Sequence, residues 1–295
     1  MALSGSTPSQ NIRPELEART ALSHDLFEKL GSFIYETCGI KMPQTKKTML
    51  EARLLKRIRA LGFASFGEYC GFLFSPDGKS NELVHMIDAV TTNKTDFFRE
   101  PQHFDYLLNK AIPDLIRSQG AGIRRTLMAW SAACSSGEEP YTLAMVLEEY
   151  AKKTPGFHSM VLATDISTKM LEKAKDAIYD EERIVPVPIE LRRRYFMRSK
   201  DPKNKAVRVI PDLRSKVRFR WLNFMNEDFG LREKMDIIFC RNVLIYFDRS
   251  TQEKVVDHLC RHLAVGGYLF TGHSETLSGM DLPLETVANT ISRRI

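Results

Sequence analysis

No apolar stretch in these 295 residues approaches the length of a membrane span, and the N-terminus lacks a secretory signal pattern. A membrane-inserted or exported protein is not expected; we expect a cytoplasmic one. Cysteine is scarce: Cys38, Cys70, Cys134, Cys240 and Cys260 are odd in number, and no two form a CxxC. That scatter argues against a structural zinc site and suits reduced thiols. A zinc finger and the aromatic–glycine pattern of an RNA-binding sheet are also missing. Nucleic acid is therefore a poor partner for the net charge of +6, and an acidic protein a better one. What is present is ordinary for a globular chain, 43% hydrophobic and 27% charged. Its length allows two modest domains, or one large domain with additions.

The stretch that organises the chain is LMAWSAACSSGEEPYTLA, Leu127–Ala144. Leu127 to Ala133 reads as a short buried strand, and Ser135, Ser136 and Gly137 as a tight turn with candidate N-caps. Pro140 then suits the first turn of a helix whose Leu143, Val146, Leu147 and Tyr150 recur on one face. A strand, a small-residue turn and a helix open nucleotide-type α/β folds. Here, however, the turn holds one glycine, and Glu138 and Glu139 stand where a phosphate loop would welcome an anion. Two carboxylates at a helix start repel phosphate, unless they only complement the helix dipole in solvent. They suit a phosphate-free cofactor with a sugar and a positive centre, such as S-adenosylmethionine.

Around this stretch the chain divides. Residues 1–20 are polar and expected to be a flexible tail. A helix follows a Ser23 or Asp25 cap, with Leu26, Leu30, Phe33 and Ile34 on one face, and ends at Gly39. A second spans Thr45 to Ala60, with Leu50, Leu54, Ile58 and Leu61 as its apolar stripe. Beside it run Lys46, Arg53 and Arg57, with Lys56 further round, and Glu51 is the only acid of that segment. The stripe is either a solvated face or a docking surface for an acidic helix or a nucleic-acid backbone. Helices at Phe66–Phe74 and Asn81–Val90 complete an all-helical domain over 21–90. Lys94–Pro101 connects it to the sheet, either as a plain linker or lying across the cofactor cleft.

Beyond the opening unit, Ser159–Thr164 is a second strand ending in Asp165, before a helix Thr168–Ile178 that turns Met170, Leu171, Ala174 and Ile178 inward. An acid at that tip suits ribose hydroxyls. Regular alternation fails over 182–220, read as a basic, β-rich insertion. Val217–Leu222 ends in Asn223-Phe224, and Met235–Cys240 ends in Arg241-Asn242. Open α/β sheets bind ligands beyond the carboxyl ends of their strands, so Gly137, Asp165, Asn223 and Arg241-Asn242 are expected on one edge. A helix Thr251–Leu263, a strand Tyr268–Gly272 and a final antiparallel piece over 285–295 close the chain.

The ordered motifs TTNKTDFFRE, WSAACSSGEEPYT, ATDIS, LRRRYFMR, WLNF, FCRNVLIYF and GGYLFTGHSE carry a resemblance. From about residue 22 onward the chain resembles the CheR-type chemotaxis receptor methyltransferases, protein-glutamate O-methyltransferases that use S-adenosylmethionine. The resemblance implies a small all-helical N-terminal domain that docks substrate. It implies next, over 91–295, a Rossmann-like α/β methyltransferase domain with an inserted small β-subdomain. It places cofactor contacts at Asn93, Thr95, Arg99, the acidic helix start (Glu138 and, above all, Glu139), Asp165, Asn223, Phe224, Arg241 and Asn242. Arg99 and Tyr246 match positions bordering the transferring methyl and the incoming side chain. Lys46, Arg53, Lys56, Arg57 and Arg59 lie on the helix matching the surface that docks on acidic receptor methylation helices. The resemblance implies a metal-free monomer that releases S-adenosylhomocysteine, with neither nucleic-acid binding nor membrane insertion. In members that tether to a receptor pentapeptide the loop after YFMR is glycine-rich; here Ser199–Lys205 has no glycine, a departure that leaves tethering open. The rival readings are an RNA or small-molecule methyltransferase and a cofactor-sensing module without turnover.

Overall fold

A computed structural model of the chain describes residues 21–201 and 203–295, so the tail expected over 1–20 lies outside the described residues. The chain forms two compact units, divided between Thr91 and Thr92. In the first, the helix His24–Cys38 starts where Ser23 accepts the Leu26 N–H and stops at Gly39, which is left-handed at φ 73°. Phe27, Leu30, Ile34 and Cys38 face inward at helical spacing. The helix Lys47–Leu61 buries Leu50, Leu54 and Ile58. Leu61, expected in that stripe, is instead 40% exposed in the last turn before Gly62. Phe66–Phe74 is capped by Ser65. The helix expected over Asn81–Val90 is Leu83–Val90; a further short helix, Pro76–Asn81, precedes it, with the buried Glu82 between them.

The second unit is built on a seven-stranded sheet. Its strands are β1 (Leu127–Ala132), β2 (Ser159–Asp165), β6 (Val217–Trp221), β7 (Met235–Cys240), β8 (Leu263–Thr271), β9 (Leu284–Ala288) and β10 (Ile291–Arg294). They lie in the order β6-β2-β1-β7-β8-β10-β9, parallel from β6 to β8 and antiparallel at β10 and β9. Because β2 lies on one side of β1 and β7 on the other, connections diverge at the carboxyl end of β1, which opens a crevice there. Trp130, Phe239 and Phe270 fill the sheet interior, each essentially without solvent exposure. The near-continuous apolar run of β7, buried at every position, is what a parallel strand covered on both faces requires.

Two expectations about this unit are corrected. Ile178 does not belong to the preceding helix: Thr168–Asp176 ends at Ala177 in the left-handed region (φ 54°), and Ile178 is 52% exposed on a new strand. The insertion also differs from 182–220. Its sheet pairs β3 (Ile178–Asp180), β5 (Ala206–Val209) and β4 (Phe196–Arg198). Val217–Trp221 is not part of it, because that strand pairs in parallel with β2. The helical stretch Pro101–Gln119, interrupted by a π-turn at Leu107–Ala111, lies in the segment between the linker and β1, which sequence patterns left unassigned.

Candidate functional site

The turn after β1 is held in strained backbone. Ala133 (φ 66°) and Ser135 (φ 49°) are left-handed, and Gly137 sits at φ 99°. A side chain on Gly137 would meet Tyr179 Oη at 2.8 Å and Ala174 Cβ at 2.9 Å, so only glycine fits. Gly137, not Ser135 or Ser136, is the N-cap of the helix Glu138–Lys153. The two serines are used otherwise. Ser136 donates to Glu138 Oε2 (2.7 Å), while Ser135 Oγ donates to the Asn93 carbonyl (3.0 Å). Phe98, Glu100 and Asn242 also have positive φ, on the segments that meet this edge. Strain of this kind persists where surrounding contacts over-determine the backbone, and it collects at functional sites.

The two glutamates are buried, and each is matched by an arginine. Arg183, from the insertion, donates to Glu138 Oε1 (2.6 Å) and to the Thr95 carbonyl (2.6 Å) and pairs with Asp96 (3.2 Å). Glu139 accepts from Ser131 Oγ at 2.7 Å and from Arg241 Nε at 2.8 Å. The helix start is therefore close to electrically balanced, not doubly negative as its sequence suggests. Arg241 is enclosed, its side chain 1% exposed. Its Nη1 donates to the Arg99 carbonyl (2.7 Å) and to His103 Nδ1 (3.1 Å), and lies 3.5 Å from Glu100. Its guanidinium also lies over the rings of Phe104 and Phe239.

Because an arginine can only donate, His103 Nδ1 must accept, and the ring proton sits on Nε2, facing Thr290 Oγ1 at 2.9 Å. Burial, reinforced by Arg241, pushes the His103 pKa down from 6.5 to about 4. Glu100 is also shifted down: burial raises its pKa, but Arg241, the Asn242 amide and His273 together leave it below the usual range. Among the described residues, Glu100, His103 and His273 form one grouping whose ligand atoms lie within 4.8 Å of one another. The Arg241 guanidinium already meets two of the three, which supplies the positive charge a metal would bring. Burial pushes the thiols of Cys134 and Cys240 well up, so neither is a ready nucleophile.

Asp165 joins two strand tips, its carboxylate accepting the N–H groups of Ser135 (2.7 Å) and Ser167 (2.8 Å). Ser167 takes the capping role, accepting from Met170 N. At the tip of β6, Asn223 Oδ1 accepts from Met225 N at 3.0 Å, and Phe224 packs on Phe229 and Phe247. Asn93 and Thr95 enter through their carbonyls, bonded to Ser135 and Arg183. The Asn242 amide donates to Glu100 Oε1 at 3.2 Å, and Tyr246 ends the short turn Leu244–Tyr246. Arg99 is half-buried; its Nη1 donates to the Lys94 carbonyl at 3.2 Å. Sequence reasoning missed Glu100, His103, Arg183 and Glu275 as members of this assembly. Glu100 and Glu275 stand inside the quoted motifs, so their position was visible but their bonding was not.

The docking candidates lie in the helical unit. Arg57 forms a two-pronged pair with the buried Glu82 (2.7 and 2.6 Å), which Tyr69 also contacts. Arg53 donates to the carbonyls of Val90 and Thr91. Lys46 donates to the Lys41 carbonyl at 3.3 Å. Lys56 and Arg59 are exposed. Among the described residues, no helix is long and apolar enough to cross a membrane.

A tight turn after the first strand, a buried acid at the tip of the second, and an amide and an aromatic ring at the tip of the sixth suit an adenosine cofactor without phosphates. Comparison with known proteins agrees. Residues 25–91 match the family "CheR methyltransferase, all-alpha domain", and 93–292 match "CheR methyltransferase, SAM binding domain". A chemotaxis protein methyltransferase of Borreliella burgdorferi is 40% identical over 88% of this chain and 90% of its own length. One from Escherichia coli is 38% identical, over 90% of each. Both family domains lie in order along nearly the whole sequence, so the chain belongs to the CheR methyltransferase family and binds S-adenosylmethionine as its methyl donor.

Proposed function

We propose that this chain methylates glutamate side-chain carboxylates of chemotaxis receptors in the cytoplasm, forming methyl esters. Bound S-adenosylmethionine supplies an electrophilic methyl group next to a good leaving group. A glutamate carboxylate is already ionised near neutral pH, so the protein need only hold it in line and shed its water. The observation that carries this reading is the state of the site's arginines. Arg183 and Arg241 are paired with carboxylates of the chain, whereas Arg99 is half-buried and, among the described residues, makes no ion pair. It is the cation left to meet an incoming anion. In this reading Asp165 holds the ribose, Asn223 and Phe224 flank the adenine, and Asn93, Thr95, Glu139 and Asn242 line the remainder. Glu138 acts indirectly through Arg183, and Tyr246 shapes the transfer channel.

Single-turnover methylation of a receptor cytoplasmic fragment by Arg99→Ala, with S-adenosylhomocysteine affinity measured separately, tests this role. We expect a rate loss of roughly 100-fold, the scale of a misplaced reactant, with product affinity nearly kept. A parallel loss of affinity would move Arg99 to the cofactor carboxylate, and a wild-type rate would remove it from both roles. The transferred label should be released by mild base, as an ester is. Base-stable label on RNA would favour the rival methyltransferase reading.

For docking, we infer that acidic receptor helices meet Lys56 and Arg59, which stand three residues apart on one helix face. Arg57 and Arg53 are engaged within the helical unit and support that face.

A further inference from the structure

The turn after β7 is held in place by a carboxylate from the end of β8. Glu275, 5% exposed, accepts the backbone N–H groups of Gly272 (2.6 Å), Asn242 (2.8 Å) and Ile245 (3.3 Å). Asn242 is left-handed at φ 60°. A Cβ on Gly272 would lie 2.8 Å from Glu275 Oε2 and 2.9 Å from Asn242 N, so the residue that follows β8 must be glycine for the carboxylate to reach. Glu100 grips the same residue from its other side, accepting from Asn242 Nδ2 (3.2 Å) and from His273 N (3.3 Å). Glu100 directly follows Arg99, and Ile245 directly precedes Tyr246. Two carboxylates meeting at Asn242 thus tie together the segments that carry the two candidate transfer residues.

A buried carboxylate is costly without compensation. Glu138 and Glu139 have arginines, but among the described residues Glu275 makes no ion pair, and burial raises its pKa. Backbone N–H groups are its compensation, and they belong to the turn that leads into Tyr246. Several N–H donors converging on one side chain call for an acceptor with two oxygens. A glutamine would present an NH2 group to one of them.

We propose that Glu275 is a positioning residue for methyl transfer, fixing the Asn242–Tyr246 turn so that Tyr246 and Arg99 keep one geometry relative to the acceptor carboxylate. The inference rests on the methyl-transfer reading above. It acts through backbone, without contact to the reacting atoms.

The test uses the full chain with Glu275→Gln and Glu275→Asp. Folding is checked by circular dichroism, and amide exchange is followed by mass spectrometry over 240–247. Single-turnover transfer to a receptor cytoplasmic fragment is measured alongside S-adenosylhomocysteine affinity. In Glu275→Gln we expect faster exchange in that peptide and a transfer rate lower by roughly 10–100-fold, the range a displacement near 1 Å produces. Receptor KM should hold, and product affinity should fall at least tenfold less than the rate. Glu275→Asp, which keeps the charge, should recover part of the rate. A folded Glu275→Gln with wild-type transfer, or with rate and product affinity falling in parallel, overturns the proposal. Should Glu275→Gln not fold, Glu100→Gln must show the same split, and a wild-type rate there overturns it equally. Wild-type protein that yields no base-labile label would instead sink the methyl-transfer reading itself.

Discussion

His103 has an arginine nitrogen at Nδ1, which fixes its tautomer and forbids a second proton at ordinary pH. The sign of the consequence follows from linkage. The unfolded chain takes up a proton at this ring as pH falls through about 6.5, but the folded chain waits until about 4. The contribution is therefore complete above the higher value, is lost progressively down to the lower one, and is flat beneath it. Carboxylates with lowered pKa, such as Glu149 (brought to about 2, where burial is outweighed by its bonds to Arg194, Lys152 and Tyr195), act only below about 4.5, so the two windows separate. We expect urea unfolding to show a loss of about 2 kcal/mol between about pH 7 and about pH 5, largely removed in His103→Gln. An equal slope in both proteins would show that other groups carry it. The same residue illustrates what sequence reasoning cannot see. Nothing around His103 in the chain announces that Arg241, far along the sequence, will stand beside it.

At the scale of elements, caps and periodicity carried the reading well where the determinants are local. Ser23 and Gly39 bound the first helix and Gly62 ends the second, as a hydroxyl cap and left-handed glycines should. Strand tips were legible because β2 and β7 are short apolar runs that end abruptly in polar residues, and β1 runs into the small-residue turn Ser135-Ser136-Gly137. The insertion was misjudged because β5 and β6 look alike in sequence, and only partner choice separates them: β5 pairs with β3 and β4, β6 with β2. The basic helix shows the same limit. Its cations look equivalent, yet Arg57 is tied to Glu82, whose side chain is 2% exposed. Arg57→Ala should lower stability by about 3 kcal/mol, because it strands a buried carboxylate. Replacing Lys56 and Arg59 together by glutamate should leave the melting temperature almost unchanged. It should weaken receptor-fragment binding at low salt, with the difference shrinking as salt rises. Equal melting losses in the two variants, or salt-independent binding, would undo this division of labour.

Each unit of the molecule has its own buried set: Phe27, Leu30, Leu50, Leu54, Tyr69 and Met86 in the first, and the sheet core around Phe239 and Phe270 in the second. The division at Thr91–Thr92 coincides with the boundary between the two matched family domains, 25–91 and 93–292. Every residue assigned to the cofactor lies after that boundary, and every docking cation before it. The two tasks should therefore separate when the chain is cut there. Residues 92–295 expressed alone should bind S-adenosylhomocysteine within roughly threefold of the full chain, a difference under about 1 kcal/mol. Their receptor KM should rise by at least tenfold, about 1.4 kcal/mol of lost docking energy. Calorimetry with the product and steady-state methylation across receptor-fragment concentration would measure both. A fragment that loses product affinity tenfold or more would mean that the helical unit completes the cofactor site. A fragment with unchanged KM would mean that receptors are recognised by the methyltransferase unit, and that the basic helix is a solvated face.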